Sequence, residues 1–267
     1  MYTFANKVCI ITGAAAGLGK ALAAALYREG AQLLLIDKDT EALAALSTAF
    51  DDKQRVSVYA ADISEEPAVI AVARTIQALY QHADVLINSA AVSISQPFEQ
   101  MRSDDHQRLF DVNYWGTVHC SRHFLPLLKN SPDSRLVNII SAVALMGFPG
   151  KTAYASSKAA VMGFTAALRT ELSGTGVKVS LVIPPPMPTG IVGTGIYVSR
   201  EKMLAENEFI RRHGTTPEKA AVKIAKGIKA GRYRIRVGNM IRWTDLASRL
   251  FPSLLSRVMM RKRFPFY

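Results

Sequence analysis

Apolar runs of strand length alternate with helical patterns along this chain, and that alternation restricts the fold more than any other property. The runs are Lys7–Thr12, Gln32–Asp37, Arg55–Ala60, Val85–Asn88, Arg135–Ile140, Lys178–Ile183 and Tyr233–Val237. Between them lie helical stretches at Gly17–Glu29, Thr40–Phe50, Glu65–Tyr80, Asp105–Lys129, Tyr154–Ser173 and Pro217–Ala230. Strands apolar throughout must be covered on both faces, and each connecting helix returns the chain for another parallel strand. The expected class is α/β: one doubly wound domain, residues 1–238, with a seven-stranded parallel sheet and helices on both faces. A length of 267 residues, 49% of them hydrophobic, supplies a core for one large domain. Neither an internal repeat nor an interdomain linker interrupts it.

The first strand runs into Thr12-Gly13-Ala14-Ala15-Ala16-Gly17-Leu18-Gly19 and then a helix. Glycines there permit a tight turn and let backbone N–H groups at the helix start approach a pyrophosphate. Alone, such a turn is often only a tight connection. The second strand ends at Asp37, where a carboxylate would accept hydrogen bonds from an adenosine ribose and repel a 2′-phosphate. Ala16 brings no compensating cation although Lys38 stands nearby, so the turn favours NAD over NADP. Asp62, after the third strand, either reaches the adenine or caps the helix before Glu65 and Glu66.

Tyr154 and Lys158 are four residues apart in the first turn of a predicted helix, so their side chains share a face. A phenol titrates near about 10, and using its anion at neutral pH requires roughly three units of stabilisation, about 4 kcal/mol, of which the lysine is expected to supply much. Ser141 follows the fifth strand and could hold a carbonyl or alcohol oxygen beside the phenol. The three suit a hydroxyl/carbonyl interconversion; a Tyr and a Lys at this spacing are otherwise an ordinary surface pair.

Thr12-Gly13, Gly17, Gly19, then Asn88-Ser89-Ala90, Asn113, Ser141, Tyr154 and Lys158, in this order, strongly resemble the short-chain dehydrogenase/reductase family over about Asn6 to Val237. The resemblance implies a Rossmann-type fold and an oxidoreductase in which Tyr154 is the general acid/base. Lys158 would lower its pKa and bind the nicotinamide ribose, Ser141 would orient the substrate oxygen, and Asn113 would support a water relay. It implies cofactor contacts from Gly13, Ala16, Gly17, Leu18 and Gly19, from Asp37, Asp62 and Ile63, and from Asn88 and Ala90. Tyr154, Lys158, Pro184, Met187 and Thr189 complete that set, with Thr189 on the nicotinamide amide. Asn88 at a strand end is also a common turn residue. Ala91 and Pro185 replace glycines usual in the family. A homodimer or homotetramer is expected, and no metal. The alternative is a dinucleotide-binding sensor or scaffold without catalysis, for which the Ser/Asn/Tyr/Lys set would be unnecessary.

Val143–Pro149 and Met187–Val198 should flank the nicotinamide, and they carry no charge. They supply Val143, Leu145, Met146, Phe148, Met187, Ile191, Val192, Ile196 and Tyr197, an apolar lining that favours a bulky hydrophobic secondary alcohol or ketone of steroid, retinoid, terpenoid or long-chain type. Some of these residues would otherwise pack on the core or a subunit interface. Met187–Gly214 reads as a lid, with the charges from Arg200 to Arg212 on its solvated outer face.

Residues 239–267 form an extension with two short amphipathic helices separated by Pro252. From Arg232 onward nine Lys/Arg meet one acid, Asp245, while the rest of a chain of net charge +12 is nearly balanced. This basic tail packs on its own domain, on a sister subunit, or as a peripheral contact on an anionic membrane. The body lacks the basic stripe of a nucleic-acid binder, so none is expected as partner. Two cysteines without a disulfide framework, and no signal peptide or spanning segment, point to the cytoplasm.

Overall fold

The structure is a computed structural model that describes residues 2–188, 196–197, 199–262 and 264. Its strands are β1 (Val8–Thr12), β2 (Gln32–Asp37), β3 (Val56–Ala60), β4 (Val85–Asn88), β5 (Ile94–Ser95), β6 (Ser134–Ile139), β7 (Val177–Ile183), β8 (Ile196–Tyr197) and β9 (Arg234–Arg236). Among the described residues, seven of them form one parallel sheet in the order β3-β2-β1-β4-β6-β7-β9, as the alternation predicts. Side chains along β1 alternate between two layers. Cys9 and Ile11 pack with helix α1 (Gly17–Arg28) and α8 (Pro217–Lys229); Ile10 packs toward α3 (Glu66–Leu79) and α5 (Gly116–Lys129). Burying both faces is what a strand reading Val-Cys-Ile-Ile-Thr demands.

Strand order reverses at β1, whose neighbours are β2 and β4, and a crevice opens beyond the carboxyl ends of strands at such a reversal. Two helices aim at it. Helix α1 starts where β1 ends, and α6 (Thr152–Glu171) carries Tyr154 in its first turn.

Several elements differ from expectation. The long helix is α4 (Ser103–Phe110), a π turn at Asp111–Trp115 and then α5, without a break. Strands β5 and β8 pair in a separate ribbon of two residues each, too short to show a period. The segment expected as a lid contains a helix, α7 (Arg200–His213), capped by the Ser199 hydroxyl accepting from Lys202 N. The extension folds as α9 (Asn239–Leu250) and α10 (Pro252–Arg261), the two helices expected. Helix α9 buries Ile241 and Asp245 and turns Trp243, Leu246 and Leu250 outward. Asp245 is fully buried because Arg234 and Arg236 of β9 and Arg249 of its own helix surround it. Among the described residues no helix is long and apolar enough to cross a membrane.

Candidate active site

The turn after β1 is shaped by contacts that leave no room for side chains. Gly13 has φ +65°, and a Cβ on it would sit 2.6 Å from Ala90 Cα; a Cβ on Gly19 would come within 2.0 Å of the Gly13 carbonyl oxygen. The Thr12 hydroxyl accepts from Ser89 N at 3.1 Å and Ala90 N at 3.3 Å, binding this turn to the loop after β4. Asp37 braces it from the other side, accepting from Ala15 N at 2.9 Å and Asp39 N at 3.1 Å. Helix α1 is capped by Ala16, which has no side-chain acceptor, and its first turn holds no acid. Its leading N–H groups are therefore left for an anionic ligand.

Asp62 is not the cap of α3, which is Glu65. Partial burial works to raise its pKa, but hydrogen bonds from Ser64 and Lys38 outweigh that and hold its carboxyl below the usual range. Lys38 Nζ lies 3.1 Å from Asp62 Oδ2, so this cation is engaged.

Tyr154 packs its ring against Ile94, Leu109 and Ala153. Ser141 caps the turn Ala142–Leu145, accepting from Val143 N at 3.4 Å, and hydrogen-bonds the Tyr154 phenol. Lys158 is buried, its Nζ donating to the Ile139 carbonyl at 3.2 Å. Burial pushes the phenol up to about 12 against the Ser141 bond, and pushes the ammonium down to about 8. Lys158 is expected to supply much of the phenol's stabilisation; in the structure desolvation disfavours both charged forms and dominates each group.

Asn113, in the π turn, is fully buried. Its Nδ2 donates to the Val92 carbonyl and the Ser157 hydroxyl, both at 3.0 Å, and its Oδ1 accepts from Val92 N at 2.9 Å. It thereby fixes the loop after β4 to the Tyr154 helix. Asn88 lies elsewhere than expected, off the cavity wall: its Nδ2 bonds Ser121 at 3.0 Å and Asn138 at 2.8 Å inside the sheet layer. Thr189, Ile191 and Val192 lie outside the described residues.

One cavity of about 800 Å³ joins these groups. One end is lined by Gly13, Ala16, Gly17, Leu18, Gly19, Asp37, Asp62, Ile63 and Ala90. Ser141, Tyr154, Lys158, Pro184 and Met187 follow, with Ala91 and Pro185 where the family has glycine. The profile of the short chain dehydrogenase family matches residues 7–195. The chain belongs to this family. It is a dehydrogenase with a Rossmann-type fold, an oxidoreductase of CH–OH groups that binds NAD(P).

SadH of Mycobacterium tuberculosis, whose name specifies an oxidoreductase and no substrate, is 34% identical to this dehydrogenase over 263 residues, 97% of this chain and 95% of SadH. The 2-dehydro-3-deoxy-L-rhamnonate dehydrogenase (NAD(+)) of Sphingomonas sp. is 35% identical over 190 residues, 71% of this chain and 75% of the relative. A short-chain dehydrogenase/reductase from Burkholderia phymatum, solved in complex with NAD, superposes with a TM-score of 0.83 at 26% identity, covering 99% of this chain and 98% of that one.

The expected pocket lining is present in Val143, Met146, Phe148 and Met187, while Leu145 packs into the core beside Ile140 and Val161. Two sets of lining residues were not expected. The first comes from the extension: Met240, Thr244, Leu255, Val258, Met259 and Phe264 stand on the cavity wall. The second is Lys151 with Glu206. Glu206 is buried and faces the cavity, which corrects the placing of every charge from Arg200 to Arg212 on an outer surface. Lys151 could have been suspected from its position three residues before Tyr154, on the same side of the helix.

Proposed function

We propose that this dehydrogenase interconverts a bulky, mainly apolar secondary alcohol and its ketone with NAD(H). The observation carrying this reading is the wall around Ser141 and Tyr154, where Val143, Met146, Phe148, Ile210, Met259 and Phe264 leave mainly apolar surface for a substrate. A small charged acid would have to shed its hydration there.

A dinucleotide fits the residues present: a turn whose Gly13 and Gly19 leave no room for a Cβ, uncapped N–H groups at α1, and a carboxylate at the end of β2. Gly13, Gly17, Leu18 and Gly19 would hold the pyrophosphate, Asp37 the adenosine ribose, and Lys158 the second ribose. When bound, the dinucleotide supplies or accepts the hydride. NAD is favoured because Asp37 would repel a 2′-phosphate and Lys38, the nearby cation, is held by Asp62.

The chain's own residues manage the proton. Tyr154 Oη gives a proton to the carbonyl oxygen in reduction and takes one from the hydroxyl in oxidation, while Ser141 Oγ holds that oxygen. With its pKa near 12 the phenol is protonated at neutral pH, the state that reduction requires. Oxidation requires added positive charge beside the ring, which the Lys158 ammonium supplies in part. Asn113 sets the distance between the loop after β4 and the Tyr154 helix, and the water relay that the family implies would run from there. We place the enzyme in the cytoplasm as a homodimer or homotetramer, with its basic extension on its own domain, on a sister subunit or on a membrane surface.

The test is a screen of hydrophobic secondary alcohols and ketones with NAD and NADP, followed by absorbance of the reduced nicotinamide. Turnover should appear with NAD and collapse in Tyr154→Phe, whose dinucleotide affinity should stay near wild type. If Tyr154→Phe keeps more than about a tenth of the turnover, a loss under about 1.4 kcal/mol, the acid/base role is wrong.

A further inference from the structure

The cavity wall contains an ion pair that the proton and hydride chemistry does not use. Lys151 Nζ lies 2.7 Å from Glu206 Oε1 and 3.3 Å from the Ser93 hydroxyl, and both side chains of the pair are only 7% exposed. Glu206 Oε2 is also buried, yet no hydrogen-bond partner meets it, and the same is true of the Tyr197 hydroxyl. The two groups are near each other. Burial and then the Glu206 carboxylate push the Tyr197 phenol above its ordinary range, and the Lys151 ammonium lies 5.7 Å from the Tyr197 ring centre and 6.0 Å from that of Tyr154. The Tyr197 hydroxyl faces the Glu206 carboxylate without completing a well-formed hydrogen bond to it.

A buried carboxylate oxygen with no donor leaves its desolvation cost uncompensated, so such atoms in folded proteins nearly always meet a partner. Glu206 and Lys151 both line the cavity, so a ligand seated there borders this carboxylate. We propose that Glu206 is a specificity-determining residue that accepts a hydrogen bond from a second hydroxyl group of the substrate. The chemistry of the surroundings selects a hydroxyl. A carboxylate can only accept, so at Oε2 a ketone or ether oxygen makes no bond and a second carboxylate is repelled. Lys151 uses two of its three N–H donors on Glu206 and Ser93, and the third can donate to the oxygen of that same hydroxyl. A hydroxyl donates one bond and accepts another; a ligand ammonium would face Lys151 and could accept nothing. The distance between Lys151 and Tyr154 places this second group within one small molecule of the reacting carbon. The inference rests on the alcohol–ketone reading and refines it: the substrate is apolar in its body and hydroxylated at two positions.

Cyclohexanol and the 1,2-, 1,3- and 1,4-cyclohexanediols, oxidised with NAD, test this as a matched series in which only the second hydroxyl moves. Wild type should show kcat/KM for one diol about tenfold or more above cyclohexanol, the worth of one charge-assisted hydrogen bond. In Glu206→Gln the ratio should fall several-fold. In the double variant Lys151→Met/Glu206→Met, which removes both charges together so that neither is buried alone, it should fall to about one. Because the readout is a ratio between two substrates, a general loss of folding or positioning does not move it. A wild-type ratio near one for every diol, or a ratio unchanged in both variants, overturns the proposal. If neither cyclohexanol, the diols nor the wider alcohol screen is turned over with either cofactor, the reading of a bulky alcohol–ketone pair as substrate fails first and takes this one with it.

Discussion

Burial drives the two ionisable groups in the first turns of α6 toward neutrality from opposite sides, the Tyr154 phenol up to about 12 and the Lys158 ammonium down to about 8. For Lys158 the folded pKa lies below its ordinary 10.5, so between pH 8 and 10.5 the unfolded chain binds more protons. Stability therefore rises with pH across that window as this penalty is lifted. Lys158→Met removes the group, and its stability relative to wild type should decline by roughly 3 kcal/mol between pH 8 and 10.5. Urea unfolding of the apo protein at pH 7.5, 9 and 10.5 measures the difference; a flat difference would mean that Lys158 is solvated. Asp37 offers a second prediction at this scale, because its carboxylate braces Ala15 N and Asp39 N besides facing the cavity. Asp37→Ser should weaken NAD about tenfold or more, through a lost ribose contact and a loosened turn. Relief of repulsion should improve NADP by a smaller factor. Dissociation constants for both cofactors check it, and a wild-type preference for NADP would show that Lys38 outweighs Asp37.

Helix α9 shows how one element ties the extension to the site. Asp245 receives Arg234 and Arg236 from β9 while Ile241 packs beside Ile140 and Leu181, and α10 follows directly onto the cavity wall. Asp245→Ala strands arginines around a buried vacancy and should cost about 3 kcal/mol, most of it local. Trypsin should then cut α9 and α10 at least several-fold faster, and KM for bulky substrates should rise with NAD affinity unchanged; equal cleavage rates would show that Asp245 does not pin the extension. This is also where the sequence was least legible. The alternation and the Gly, Ser, Tyr and Lys spacings are local patterns, so the sheet and the meeting of Ser141, Tyr154 and Lys158 on one cavity could be read directly. The inward face of α9 could not, since a hydrophobic stripe assigns Asp245 to solvent and only three arginines brought from two elements reverse that. Glu206 escaped notice for the same reason: Lys151, which makes its burial tolerable, lies on another helix. β5 and β8 exist only as each other's partners.

Taken as a whole, the molecule places its charge and its unburied apolar surface together. Trp243, Leu250, Leu254 and Met260 are 70%, 59%, 59% and 75% exposed on α9 and α10, and Arg242, Arg257, Arg261 and Lys262 stand exposed among them. The same two helices contribute Met240, Leu255 and Met259 to the cavity wall, so an apolar, basic surface borders the space where substrate would sit. Exposed apolar side chains rimmed by cations suit either an anionic bilayer or a second subunit, and salt separates the two, because it screens the attraction to lipid but not apolar packing. The membrane reading predicts that the full chain sediments with vesicles of mixed neutral and anionic lipid at low ionic strength and is released at high ionic strength. A chain ending at residue 238 should not sediment at either. Absence of sedimentation, with a change in subunit number by light scattering on truncation, would assign the surface to assembly. A truncation that changed neither would leave α9 and α10 with the cavity wall as their whole function, and the loss would then appear only as a raised KM for the substrates large enough to touch Leu255 and Met259.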